Sequence, residues 1–206
     1  MKKLLLLAAV CFSAATAFSQ SFTHGVGVTV MVDKMQDLDA RPGFGFTYSP
    51  RFNFAESESM SVSVGIPISV ALAGSYSGTY NSRSGWEEDP YMSGDGSVAV
   101  FLNAPVMLNL NFGAGSSRDN ESRLGAFVGA GFGLHWSAST DQVFYDEAGN
   151  PDYRNTGGTV FGPAGNAGMR IGVGNSGKNI EIKLSYYRGL DDNKLNLFGL
   201  AGIFNF

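Results

Sequence analysis

Bulky apolar residues and small polar residues alternate one by one along most of this chain. In "MSVSVGIPISVAL", Met60, Val62, Val64, Ile66, Ile68, Val70 and Leu72 share one parity, and Ser61, Ser63, Gly65, Pro67, Ser69 and Ala71 share the other. Side chains of a β-strand point alternately to its two faces, so a period of two marks a strand with one apolar face and one small-residue face. The same alternation runs through 26–32, 44–54, 98–112, 124–136, 161–173, 180–187 and 198–206. In the last of these the second parity is also fairly apolar, with Leu195, Leu197 and Ile203. No stretch after residue 20 keeps a capped apolar period of 3.6 residues. The pattern therefore predicts about eight strands, several of them longer than the roughly 5–6 residues usual in soluble proteins. Such lengths suit a tilted membrane crossing of roughly 9–11 residues.

The second face decides which way the strands turn. In a secreted sandwich or lipocalin-like barrel it would meet water and carry Lys and Glu. Here it is Gly, Ser, Thr, Asn and Ala, with few charges, chiefly Arg51, Arg170, Glu181 and Lys183. Only 16% of the chain is charged and 28 of its 206 residues are Gly, which fits a β-protein whose surface does not all face water. The expected fold is all-β: a closed antiparallel transmembrane β-barrel of about eight strands in an up-and-down meander. The bulky face meets lipid and the small residues fill a narrow lumen. Closure pairs every strand edge, as a bilayer requires.

Residues 1–20 read as a cleaved signal peptide, with Lys2 and Lys3 ahead of an apolar run and then small residues. Cleavage is expected after Ala17 or after Ser19, leaving 21–206 as one outer-membrane barrel domain. Acylation of Cys11 as a lipoprotein is disfavoured, because Val10 stands where a small residue is needed. Cleavage removes that cysteine, the only one, and with it any disulfide. Removing Lys2 and Lys3 lowers Lys+Arg from 14 to 12 against 18 Asp+Glu, so the net charge moves from −4 to −6. An acidic chain argues against a nucleic-acid partner.

Connection lengths give the orientation. With the N-terminus in the periplasm, the long segments 74–96 and 138–158 both fall outside the cell. The short connections "AESES", "GAGSSRDNESR" and "GNSGKN" fall in the periplasm. Bacterial barrels show this asymmetry.

Signal peptide, dyad strands and the ending "GIFNF" together resemble the small eight-stranded outer-membrane barrels, the class of OmpX and the OmpA transmembrane domain. The compact porin-like barrels of Bacteroidota are the nearest set. The resemblance implies that Phe204 and Phe206 form the C-terminal signal read by the barrel-assembly machinery, although Gly202 stands where that signal favours a bulky residue. It also implies an outer-membrane location, contact with lipid and lipopolysaccharide, and a monomer. No peptidoglycan-binding domain is expected after the barrel.

Parity places Arg51, Asn53, Asn109, Asn111, Arg170, Glu181 and Lys183 in the lumen near the periplasmic end. They are expected to form a hydrogen-bonded plug. The alternative is a constriction ring in a narrow passive channel for small solutes, where three cations against one anion would favour anions. His135 and Ser137 share a strand face, as in lipid A deacylase barrels, but no third carboxylate stands out beyond Asp141 or Glu147. The expectation is therefore a non-enzymatic barrel. Trp136, Tyr145, Tyr186 and Tyr187 are expected to form the outer aromatic girdle. The acidic loop residues Glu87, Glu88, Asp89, Asp95, Asp141, Asp146, Glu147 and Asp152 lack EF-hand spacing. No cofactor and no metal are expected. Any adhesion or binding role falls to segments 74–96 and 138–158.

Overall fold

A computed structural model describes residues 21–35, 40–79, 93–117, 120–138, 141–145, 151–155, 157–174, 177–191 and 194–206. The segment expected to be the signal peptide lies outside them, as do Glu87, Glu88, Asp89, Asp146 and Glu147.

The described strands are β1 (Ser21–Thr23), β2 (Gly25–Lys34), β3 (Arg41–Tyr48), β4 (Arg51–Glu56), β5 (Met60–Gly65), β6 (Ile68–Thr79), β7 (Ser93–Gly113), β8 (Leu124–Ser137), β9 (Asp141–Tyr145), β10 (Pro151–Asn155), β11 (Gly158–Gly172), β12 (Asn179–Arg188) and β13 (Asn196–Asn205). Pro50 and Pro67 sit in the breaks between β3 and β4 and between β5 and β6. Proline has no N–H to give a ladder, so it interrupts strand pairing. His24 separates β1 from β2. Each of these three pairs makes one continuous wall strand, and with β7, β8, β11, β12 and β13 the wall has eight.

Every wall strand pairs antiparallel with its neighbours in the chain. The last returns to the first, from Asn196↔Lys34 through Asn205↔Gly25. The sheet is thereby closed, and no wall edge is left unpaired. The register slips once, between Asn53 and Ala55, at a bulge where β4 meets β5.

Burial follows parity all the way round. Phe46 is 70% exposed, whereas Thr47 beside it is 3% exposed. Val28, Phe44, Leu72, Leu108, Leu124, Met169, Leu184 and Phe198 likewise stand on the outer surface. A water-soluble fold buries such residues; this one displays them and buries Ser, Asn and Arg.

The interior has two storeys. Toward the end that carries 35–40 and 189–195, Met31, Met35, Ala71, Ala73, Ala99, Phe101, Tyr187, Leu195 and Leu197 form an apolar cluster. Toward the end that carries Ser21 and Phe206, the side chains are polar. The expected lumen of small polar residues is therefore correct for one half only. The apolar half uses inward bulky residues, of which parity flags Leu195 and Leu197 but not Met31 or Phe101.

Segments 74–96 and 138–158 also hold more structure than linkers. β6 and β7 remain paired out to Thr79↔Ser93. β9 and β10 form a separate hairpin, from Pro151↔Tyr145 to Asn155↔Asp141. Both extend beyond the wall strands at the same end of the barrel.

Candidate functional site

The polar storey is organised by one carboxylate. Glu181 and Arg170 face each other across the β11–β12 ladder. Arg170 Nε donates to Glu181 Oε2 at 2.7 Å, and its Nη1 donates to Asn111 Oδ1 at 2.9 Å. Asn111 Nδ2 donates to Ser61 Oγ at 3.1 Å and to Ser63 Oγ at 3.0 Å. Arg51 Nη1 and Asn205 Nδ2 each donate to the same Glu181 Oε2 at 3.3 Å. Asn205 also donates to Asn179 Oδ1 at 2.8 Å. One oxygen thus ties together β4, β11, β12 and β13, across the closing seam of the barrel.

Close packing supports the network. The Arg170 guanidinium lies 4.4 Å from the centre of the Phe127 ring, a buried cation–π contact. Phe127 can take that place because residue 168 is Gly: a Cβ there would lie 2.6 Å from the ring. A Cβ on Gly129 would fall 2.7 Å from Asn166 Oδ1 and collide with Asn109 Oδ1.

The other lumen residues are placed as follows. Asn53 Nδ2 donates to Ser21 Oγ at 2.9 Å, and Ser21 Oγ donates to Glu56 at the rim. Asn109 is buried and its Oδ1 has no partner. Lys183 is buried and donates no hydrogen bond to a described residue. Among the described residues, two small cavities lie within the lumen. One, of about 30 Å³, lies among Met31, Asn103, Met107, Lys183 and Tyr187. The other, of about 20 Å³, lies among Arg51, Asn109, Asn166, Glu181 and Lys183. Each has room for little more than a water molecule.

His135 and Ser137 both point into the lumen and both are buried. The His135 ring sits 5.7 Å from Phe101 and 6.2 Å from Tyr187, and neither ring nitrogen has a hydrogen-bond partner. There is accordingly no hydrogen bond between His135 and Ser137. No group of His, Cys, Asp and Glu among the described residues is arranged to hold a metal.

Tyr187 departs from its expected place in the outer girdle. It is buried, and its hydroxyl donates to the Val160 carbonyl at 2.7 Å. Its parity, opposite to Tyr186, puts it inside. Trp136 and Tyr186 do stand on the outer surface. Phe204 and Phe206 face outward at the opposite end, 6.3 Å apart and stacked. Phe206 and His24 exchange backbone hydrogen bonds of 2.8 and 3.0 Å, so the ladder of the seam reaches the last residue of this sequence.

Sequence reasoning missed a second ion pair. Arg41 and Asp33 face each other in the β2–β3 register. Arg41 Nη2 donates to Asp33 Oδ2 at 2.6 Å and Nε to Oδ1 at 3.1 Å, while the guanidinium lies 5.2 Å from the Phe101 ring centre. Parity puts Asp33 inside with Met31, but it does not name its partner.

No protein-family profile matches the chain, and no curated protein is similar to it in sequence. Solved structures do match in shape. Neisserial surface protein A is 12% identical with a TM-score of 0.51, over 91% of this chain and 97% of that one. Ail, the attachment invasion locus protein of Yersinia pestis, is 17% identical with a TM-score of 0.47, over 92% of this chain and 99% of that one. The outer membrane protein OprG of Pseudomonas aeruginosa is 10% identical with a TM-score of 0.42, over 92% of this chain and 96% of that one. At such identity the likeness to Neisserial surface protein A is one of fold.

Proposed function

We propose that this chain, which has the fold of the small eight-stranded outer-membrane barrels, is an integral outer-membrane protein that does no catalysis and works through the extensions at one end of its wall. The observation that carries this is the filled lumen. An eight-stranded barrel is just wide enough for its own side chains. Here an apolar cluster and a Glu181-centred network occupy it, leaving spaces of about 30 and 20 Å³. Function then falls to what stands outside the wall: the extended β6–β7 hairpin and the β9–β10 hairpin. Both belong to the segments assigned to the cell exterior, where loops carry binding roles on a rigid scaffold. The paired ladder between His24 and Phe206 supports a role for Phe204 and Phe206 in assembly.

A narrow channel is the second reading. The two cavities lie in succession along the lumen and share Pro67, Asn166 and Lys183 as lining residues. Joining them would require the intervening side chains to move. Single-channel recording in planar bilayers separates the two readings. The plugged barrel gives a silent membrane; stable, repeated openings would establish the pore instead.

A further inference from the structure

The polar storey holds more positive charge than its hydrogen bonds account for. Arg51, Arg170, Lys183 and Glu181 are all buried, at 6% exposure or less. Three cations and one carboxylate give this layer a charge of +2. Arg170 is well served by Glu181, Asn111 and the Phe127 ring. Arg51 is not: it gives Glu181 one long bond of 3.3 Å, and its Nε and Nη2 are buried without a partner. Lys183 donates no hydrogen bond to a described residue. Glu181 Oε2 already accepts from Arg170, Arg51 and Asn205. An uncompensated charge away from water is strongly unfavourable; a buried amine can answer by losing its proton, but a guanidinium keeps its own, so Arg51 needs a counter-charge.

The two underserved cations line the same cavity, the one of about 20 Å³. A water molecule there would take hydrogen bonds but leave the charge in place. The space admits a water-sized particle, and a halide ion is close to that size. Asn109 and Asn166 line the cavity too, and the Oδ1 of each is unpartnered. The two ends of an Asn amide are distinguished only by their partners. A half-turn would direct each NH₂ at an anion and remove both orphaned acceptors.

We propose that the lumen holds a resident monovalent anion of halide size, coordinated by the Arg51 guanidinium and the Lys183 ammonium. It offsets one of the layer's two excess positive charges as a fixed counter-ion. Its position beneath the apolar storey keeps it there, whatever the outer extensions bind.

The test uses the folded mature barrel in detergent. Crystals equilibrated with bromide are to show an anomalous peak between Arg51 and Lys183. The unfolding midpoint is to rise when chloride replaces gluconate at constant ionic strength. Lys183→Met removes one of the two excess charges and one of the two groups that hold the anion, and is to lose both the peak and the chloride dependence, while keeping the heat-shifted gel mobility of the folded barrel. Three results overturn the proposal: a wild-type map with water in the cavity, bromide only at surface sites, or a midpoint equal in chloride and gluconate. The wild-type map and midpoint decide even if Lys183→Met does not fold.

Discussion

Arg170 and Glu181 stand opposite each other in the β11–β12 ladder, and the 2.7 Å bond between them is the shortest of three that converge on one carboxylate oxygen. The pair is fully inside the barrel. Glu181→Gln keeps the shape but leaves Arg51 and Arg170 without their anion. Breaking one side of a buried ion pair costs about 3–5 kcal/mol. The urea midpoint should fall accordingly. Replacing Arg170 and Glu181 together by Met and Gln should recover part of the loss, because the double change removes one of the stranded charges.

Gly168 sets the place of the Phe127 ring under Arg170. Gly168→Val puts a side chain where that ring lies, and overpacking of this kind costs about 1–3 kcal/mol. Gly165→Ala, three residues away on the outer face with nothing nearer than 3.8 Å to its Cβ, should be far milder. Unfolding midpoints of the two variants measure the difference.

Parity made the wall legible. Once Val64 and Ser63 are assigned to opposite faces, every residue of that strand follows, and so do closure and the inward positions of Arg51, Arg170 and Glu181. Parity says which face a residue occupies, not what it meets there. It showed Leu195 and Leu197 on the second face, but not that they join Met31 and Phe101 to fill half the lumen, since an inward bulky residue looks like an outward one in the wrong register. Nor could it pair Arg41 with Asp33, because that contact depends on the register of a hairpin whose turn residues carry no fixed spacing signal. β9 and β10 escaped for another reason: "DQVFY" and "PDYRN" are short and too polar to show a clear alternation.

Phe206 closes the seam ladder through His24. Deleting Phe206, or adding a charged tail after it, should slow assembly in cells and leave unfolded protein in the periplasm. Heat-shifted mobility in SDS gels reports the folded fraction, and refolding in detergent should be affected much less. Unchanged assembly in cells would remove the targeting role of this residue.

Orientation is checked by tags. Ser84 and Asn150 fall in the segments assigned to the exterior, and Asn120 falls at the opposite end, where its Nδ2 donates to the Glu58 carbonyl. A tag at Ser84 or Asn150 should be cut by protease on intact cells. A tag at Asn120 should be protected until the outer membrane is opened.

The most direct measurement is a spin-label scan of residues 61–72 in lipid bilayers, reading collisions with oxygen and with a water-soluble nickel chelate. The outward residues of this stretch, Val62, Val64, Ile66, Ile68, Val70 and Leu72, should collide with oxygen, with a maximum near Val64. Ser61, Ser63, Ser69 and Ala71, all buried in the lumen, should collide weakly with both. Val64→Arg, which puts a charge on the lipid face, should cost about 2–4 kcal/mol in the same bilayer. Oxygen contact at Ser63 and Ser69 with shielding at Val64 and Val70 would contradict the account, because the small-residue face would then be the one that meets lipid.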